Sequence, residues 1–313
     1  LIMFSKCITY LTLIGFINAS CVAPLQASLS VLEQNEQGAY VVRGYHLDQD
    51  QDFMAHGKPI GSWHLKNGQG VFQGFDEHHF TFETLPPLFS LAIQLNGSLT
   101  FLERVTCQQF ISVQTLSKVS FFNGFIVDAP TGGSFLKDGH YHIHAQSHAS
   151  SLILQNTKDF FIHQGAHLMT DQTMTEGVNA SFRNHGTFSS HRTHLNIIEF
   201  TNGVNGKLDV GELFQGSFTT FQNDGETVVK GLAFIQTHRG RITGNFKARG
   251  AFIKFDQDLL LPKTSRFEIQ EHLHLSGQRN IQIHGDIQLK FNLNGPKAIF
   301  STEIQNELKK IKP

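Results

Sequence analysis

The stretch from Ser181 to Lys254 repeats one short phrase, which reads Phe182-Arg-Asn-His-Gly186-Thr-Phe188, Phe200-Thr-Asn-Gly-Val-Asn-Gly206-Lys-Leu208, Phe221-Gln-Asn-Asp-Gly225-Glu-Thr-Val228 and Ile235-Gln-Thr-His-Arg-Gly240-Arg-Ile242. Each copy runs from an apolar residue through a mainly polar segment to a Gly, one or two spacer residues and a second apolar residue. The first apolar position recurs every roughly 14 to 21 residues, which is the length of one β-solenoid turn and too short for a propeller blade or a helical repeat. Shorter versions at Leu95-Asn-Gly-Ser-Leu99 and Phe122-Asn-Gly-Phe125 extend the repeat from about Leu91 to Leu293.

Strict alternation of apolar and polar residues marks the strands. From Ile281 to Leu293 every odd position except Gly285 is Ile, Leu or Phe, which indicates a strand buried on one side. Because no period near 3.6 appears in the repeat region, we expect few helices. The sequence predicts an all-β fold, a single-stranded right-handed parallel β-helix (β-solenoid) with roughly 20-residue coils. We expect roughly 10 to 13 coils, each rising about 4.8 Å.

The Gly and Asn residues of the phrase suit the corners of such a coil. Both residue types tolerate φ > 0, so we expect a left-handed backbone where the chain bends. Stacked Asn side chains of neighbouring coils can also hydrogen-bond to one another in ladders along the rod. Corner chemistry therefore explains these residues without a ligand.

Composition narrows the classes of function. The chain of 313 residues has 29 Phe against 4 Tyr and 1 Trp, which favours a stacked core over a sugar-binding platform. A charged fraction of 16% and a net charge of −1 imply neither a nucleic-acid partner nor an anionic membrane. Cys107 stands alone in the body, so the mature chain has no disulfide framework and this thiol is predicted to be a small buried hydrophobe.

Four segments divide the chain. Residues 1–27 are typical of a secretory signal peptide, because Lys6 precedes a ten-residue apolar run. This run is too short to span a bilayer, and cleavage is expected after Ala27. Lipidation of Cys21 is the alternative anchor. Residues 28–87 predict an N-terminal β-rich cap of irregular coils, residues 88–295 the solenoid body, and residues 296–313 a polar and basic tail.

One histidine cluster is a candidate metal site. His140, His142 and His144 alternate along a predicted strand, so they share one face about 7 Å apart, and two such imidazoles are able to reach one Zn²⁺ or Cu²⁺. A histidine in register on a neighbouring coil would complete the ligand set. The alternative is an ordinary polar face in a chain with 18 His. His272 and His274 repeat the spacing with two members.

Pectin-degrading β-helical enzymes use clustered carboxylates to protonate the leaving oxygen and to activate water. Asn156-Thr-Lys-Asp159 is the nearest approach to their Asn-Thr-Asp motif, and neither an Asp-Asp pair nor a Gly-His-Gly follows it. The sequence also lacks the P-loop, G-x-S-x-G, H-E-x-x-H and C-x-x-C patterns. We therefore expect a non-catalytic chain with no catalytic residues and no cofactor, the alternatives being a pectinase- or lyase-like enzyme and a His-rich metal-binding surface protein.

The irregular coils, with their Asn-x-Gly corners and alternating apolar strands, resemble the β-helical repeats of filamentous haemagglutinins and related large bacterial exoproteins. The resemblance covers about Leu91 to Leu293. It implies an adhesin-like protein, secreted or held at the cell surface, that presents a non-catalytic contact surface. The implied partner is a protein or glycan on a host or neighbouring cell, with no nucleic acid and no transmembrane segment in the mature chain.

Overall fold

The computed structural model describes residues 28–277, 280–289 and 298–311. Its strands wind into a β-solenoid of about 13 turns, with coils of about 20 residues that pair mostly in parallel. The predicted fold class and coil length are confirmed. The predicted signal peptide, the cleavage position after Ala27 and the alternative anchor at Cys21 all lie outside the described residues.

Strands follow one another along the described chain, and an α-helix comes after the last of them. The first group is β1 Ser28–Val31, β2 Tyr40–Val42, β3 Gln51–Ala55, β4 Lys58–Lys66, β5 Gln69–Gly74, β6 Phe80–Phe82, β7 Leu88–Leu95 and β8 Leu99–Phe101. The second is β9 Val105–Thr115, β10 Lys118–Phe121, β11 Phe125–Val127, β12 Gly133–Lys137, β13 His140–Ile143, β14 Ser147–Gln155, β15 Asp159–Ile162, β16 His167–Glu176 and β17 Asn179–Asn184. The last is β18 Thr187–Asn202, β19 Lys207–Asn223, β20 Glu226–Ile242, β21 Asn245–Leu261, β22 Arg266–Gly277, β23 Ile281–Ile283, β24 Asp286–Leu289, β25 Ala298–Phe300 and helix α1 Thr302–Ile311.

Each coil contributes to three columns of parallel strands. Column A stacks β2, β6, β8, β10, β13, β15 and β17 and continues through the last third of β18 to β21. Column B runs through the first segment of β9, through β11 and through the first segments of β14 and β16. Column C runs through β5, β7, the later segment of β9, β12 and the later segments of β14 and β16, and it continues through the middle segments of β18 to β21 into β22. Because the register is kept, a residue in one coil lies beside the residue about 20 positions away in the next.

The N-terminal segment departs from a single-stranded coil. Strands β3, β4 and β5 form antiparallel hairpins, and β5 then joins the solenoid through parallel pairing with β7. The two turns are His56-Gly57 and Asn67-Gly68, and all four residues have positive φ. Two-residue turns of this kind match the twist of antiparallel strands. Trp63 on β4 is fully buried under the hairpin and donates its indole N–H to the carbonyl oxygen of Leu47 at 3.0 Å.

Side chains of equivalent positions stack inside the coils. In column A the rings of Phe160, Phe182, Phe200 and Phe221 follow one another at centroid distances of 5.1, 5.7 and 5.3 Å. At the end of the same strands the Asn184 amide donates to Oδ1 of Asn202 at 2.9 Å, and the Asn202 amide donates to Oδ1 of Asn223 at 2.8 Å. The predicted asparagine ladder is confirmed, and it lies in the buried interior.

Gly124 of the Phe122-Asn-Gly-Phe125 copy has the positive φ that was predicted, but two other corner glycines serve a different purpose. Gly206 and Gly225 are not among the residues with positive φ, so the expected left-handed backbone is wrong for them. A Cβ atom on Gly225 would lie 2.2 Å from the carbonyl oxygen of Gly206 and 2.3 Å from that of Gly203. The repeated glycine is therefore required because successive coils approach each other too closely for any side chain.

The C-terminal end of the rod is covered by the segment predicted as a polar tail. Strand β25 pairs with β22, and α1 places Ile304 in the core with Leu308 packed beside it. Among the described residues, no helix combines the length and apolarity needed to cross a bilayer. Cys107 is fully buried on column B, as predicted, and burial raises the pKa of its thiol to about 12.

Candidate functional site

Strand β13 holds the histidines singled out in the sequence. Tyr141 and Ile143 point into the core and are fully buried. Because side chains alternate along a strand, His140 and His142 project outward. The Tyr141 hydroxyl lies 2.8 Å from the carbonyl oxygen of Val113 and 2.6 Å from that of Lys137, which fixes the inward direction of this side chain. His144 follows the strand at the corner, where its backbone N–H donates to Phe121 of the previous coil.

The next coil contributes a third imidazole that the sequence pattern did not single out. His163 is the first residue after β15, and its backbone N–H donates to Ile143, so it occupies the corner position equivalent to that of His144. Ligand nitrogens of His142, His144 and His163 all lie within 4.8 Å of one another. We call these three residues the histidine cluster. A signal was available, because Tyr141-His-Ile-His144 and Phe160-Phe-Ile-His163 are one phrase repeated a coil apart.

Ring contacts hold the histidine cluster together. Nδ1 of His142 lies 3.0 Å from Nε2 of His163, so one ring donates an N–H to the other. The rings of His144 and His163 stack at a centroid distance of 3.9 Å, while those of His142 and His144 are 6.2 Å apart. Phe122 stacks on the other side of His144 at 4.7 Å, and Phe161 lies against His163 at 4.0 Å.

The cluster is electrically neutral near pH 7. Burial, and next the positive charge of Lys118, lower the pKa of His142 and His144, and the value for His142 is about 4. Burial and then the neighbouring His144 lower the pKa of His163 to about 4. Asp159 opposes these shifts at His142 and His163. All three imidazoles are therefore neutral near pH 7 and each has one ring nitrogen with a lone pair, one of which accepts the hydrogen bond between His142 and His163.

His140 lies outside the cluster. It pairs in register with Lys118 on one side and with Asp159 on the other, so it faces a different part of column A. His148 lies on β14 in column B, beside Ile126 and Met169. His272 and His274 lie on β22, several coils away. Of the three residues predicted from the sequence, the structure thus brings two together and adds His163.

A second surface feature is a groove on the outside of column C. It has a volume of about 450 Å³ and crosses the coils of β18 to β22. Its centre is the stacked pair Phe234 and Phe252, whose ring centroids are 4.9 Å apart and whose exposed fractions are 37% and 39%. His274 continues this stack at 6.3 Å. These two phenylalanines depart from the inward orientation that composition suggested for this residue type.

Neutral hydrogen-bonding side chains border the stack. Asn196, Ser217, Gln236 and Ser276 line the groove in successive coils, in register with Lys254. Lys254 pairs with Asp256 at 3.1 Å, so its charge is balanced. Among the described residues, no Asp or Glu lines this groove. We call this region the column C groove.

Comparison with family models, with curated proteins and with solved structures finds no match to this chain.

Proposed function

We propose that this chain is an adhesin-like β-solenoid, secreted or held at the cell surface, whose non-catalytic contact surface is the column C groove. The observation that carries the proposal is the exposed Phe234–Phe252 stack bordered by amide and hydroxyl side chains. Adjacent exposed apolar side chains with a rim of polar residues are among the features that mark interaction sites. The likeness of the coils to filamentous haemagglutinin repeats supports the same class.

The chemistry of the groove favours a neutral glycan as its ligand. The backbone groups beneath it are engaged in ladders with both neighbouring coils, so this part of the described chain offers a peptide no free strand edge on which to pair. The Lys254 charge in the lining is balanced by Asp256, which disfavours polyanions. Two stacked phenyl rings lie beside polar side chains that recur about every 4.8 Å along the rod. This combination suits a polymer with apolar and hydroxyl-bearing faces.

A glycan and polysaccharide panel tests this function. The wild-type chain should retain at least one neutral glycan, and the double variant Phe234→Ser/Phe252→Ser should lose it. Val178→Ser is the matched control, because Val178 is an exposed apolar residue that lines neither this groove nor the smaller depression described below. Absence of retention by the wild type, or equal retention by the double variant, contradicts the proposal. Cleavage of any polysaccharide favours the pectinase- or lyase-like alternative instead.

One surface depression is a candidate active site for the enzyme alternative. A smaller depression of about 350 Å³ at the corner of column A is lined by Asp224 and Glu226 from neighbouring positions of one coil. Asp224 already accepts hydrogen bonds from Gln222 and Thr243, which reduces its freedom to move a proton. Glu226→Gln therefore serves as the check if cleavage is observed, since loss of cleavage assigns the activity to this corner.

A further inference from the structure

We propose that His142, His144 and His163 together bind one Zn²⁺ or Cu²⁺ ion. This site lies at the corner after column A and is independent of the column C groove. Imidazole suits both ions, and the three residues come from two successive coils, so only the stacking of the coils creates the site. The triplet expected from the sequence alone, with His140 in place of His163, is a different ligand set.

The distances allow coordination once the imidazole rings rotate out of their stacked arrangement. Ligand nitrogens that lie within 4.8 Å must approach to about 3.3 Å for tetrahedral Zn–N bonds of about 2.0–2.1 Å. Each ring is only partly buried, so rotation of the side chains is able to supply this movement without a shift of the coils. Coordination replaces both the His142–His163 hydrogen bond and the stacking of His144 on His163.

An unpaired nitrogen points to a ligand. Nε2 of His144 is buried and, among the described residues, has no hydrogen-bond partner. A buried polar atom without a partner costs about 1–3 kcal/mol, so a native structure normally supplies one. A metal ion satisfies this atom and also uses the lone pairs of the other two imidazoles.

The surroundings suit a neutral set of ligands. Depressed pKa values keep His142 and His163 unprotonated near pH 7, so the metal displaces no protons from them. The groups that face the cluster are Lys118, Asp159 and His185. Oδ1 of Asp159 is engaged by Ser181 and by Arg183 at 3.5 Å, and Asp159 is not among the residues whose ligand atoms converge within 4.8 Å, so the imidazoles are the ligands. Three protein ligands leave the fourth position to water, and Phe122 and Phe161 wall the site.

Calorimetric titration of the untagged full chain with ZnCl₂, and separately with CuCl₂, at pH 7 tests the proposal. We expect one equivalent to bind. His163→Ala and His142→Ala should each weaken the affinity at least about tenfold, since even the loss of groups that only support a ligand has an effect of that size. His140→Ala is the matched control and should bind within about twofold of the wild type, because His140 lies on the same strand but outside the cluster.

The outcomes separate the possible ligand sets. Unchanged affinity in His163→Ala, or lost affinity in His140→Ala, overturns the site. Absence of binding heat in the wild type for both ions also overturns it. Circular dichroism and the melting temperature without metal show whether each variant is folded, and His163→Asn replaces His163→Ala if the alanine variant unfolds. A folded His163→Asn variant that keeps the wild-type affinity overturns the proposal as well.

Discussion

Replacement of Asn202 by alanine removes the middle rung of the buried asparagine ladder. The Asn202 amide donates to Oδ1 of Asn223 at 2.8 Å and to the carbonyl oxygen of Glu226 at 3.0 Å, and its oxygen accepts from Asn184 at 2.9 Å. Each hydrogen bond contributes about 1 kcal/mol net, and the buried void adds to the loss. We expect Asn202→Ala to lower the free energy of unfolding by about 3 to 4 kcal/mol.

Equilibrium unfolding in guanidinium chloride, followed by circular dichroism, measures this loss. Repeat arrays do not always unfold in one step, so midpoints are compared only where the slope m is unchanged. The matched control is Thr201→Val, the outward neighbour on the same strand, for which a change within about 0.5 kcal/mol is expected. A loss below about 1 kcal/mol for Asn202→Ala, or an equal loss for the control, refutes the ladder as a source of stability.

Three further predictions concern close contact, pH and reactivity. Gly225→Ala should lower the free energy of unfolding by about 1–3 kcal/mol because the new Cβ atom meets two carbonyl oxygens. Gly133→Ala is the control and should leave the free energy of unfolding unchanged, because its Cβ atom would have its nearest contact at 3.6 Å. Equal denaturation midpoints of the two variants contradict the prediction. Burial lowers the pKa of His142 and His163 from 6.5 to about 4, so the unfolded chain takes up protons at a higher pH than the folded chain. The free energy of unfolding should therefore be highest above about pH 6.5 and fall toward pH 4, and it should fall less steeply in His142→Asn. Identical melting curves of the wild type and His142→Asn across this window argue against the prediction. The Cys107 thiol should react with a disulfide reagent at pH 8 only after unfolding, since its pKa is raised to about 12. Because the sequence also contains Cys7 and Cys21, the labelled residue is mapped, and rapid labelling of Cys107 in the folded chain contradicts the prediction.

The repeat in the sequence predicted the fold because coil length and alternation follow directly from solenoid geometry. Corner positions were harder to assign. The alternation from Ile281 onward suggested one strand, yet the structure turns a corner at His284-Gly285 and divides it into β23 and β24. Inward and outward positions keep their phase through such a corner, so the pattern alone does not mark it. The Asn67-Gly68 hairpin, by contrast, had a sequence signal in its turn residues.

The sequence pattern indicated only part of the histidine cluster. Alternation placed His142 and His144 near each other, but His140 appeared equivalent to them because a flat strand was assumed. The corner after Ile143 turns His144 toward the next coil, and there it meets His163 rather than His140. Which histidine of the next coil comes into register depends on the lengths of the loops between coils, and those lengths vary.

X-ray absorption at the zinc edge of the loaded chain tests most directly the claim that stacked coils build one site from His142, His144 and His163. We predict three imidazole nitrogens at about 2.0–2.1 Å and one further light atom from water. His140→Ala should give the same spectrum as the wild type, and His163→Ala should lose one imidazole or fail to load zinc. Two or fewer imidazole ligands in the wild type, or an unchanged spectrum in His163→Ala, would contradict the account.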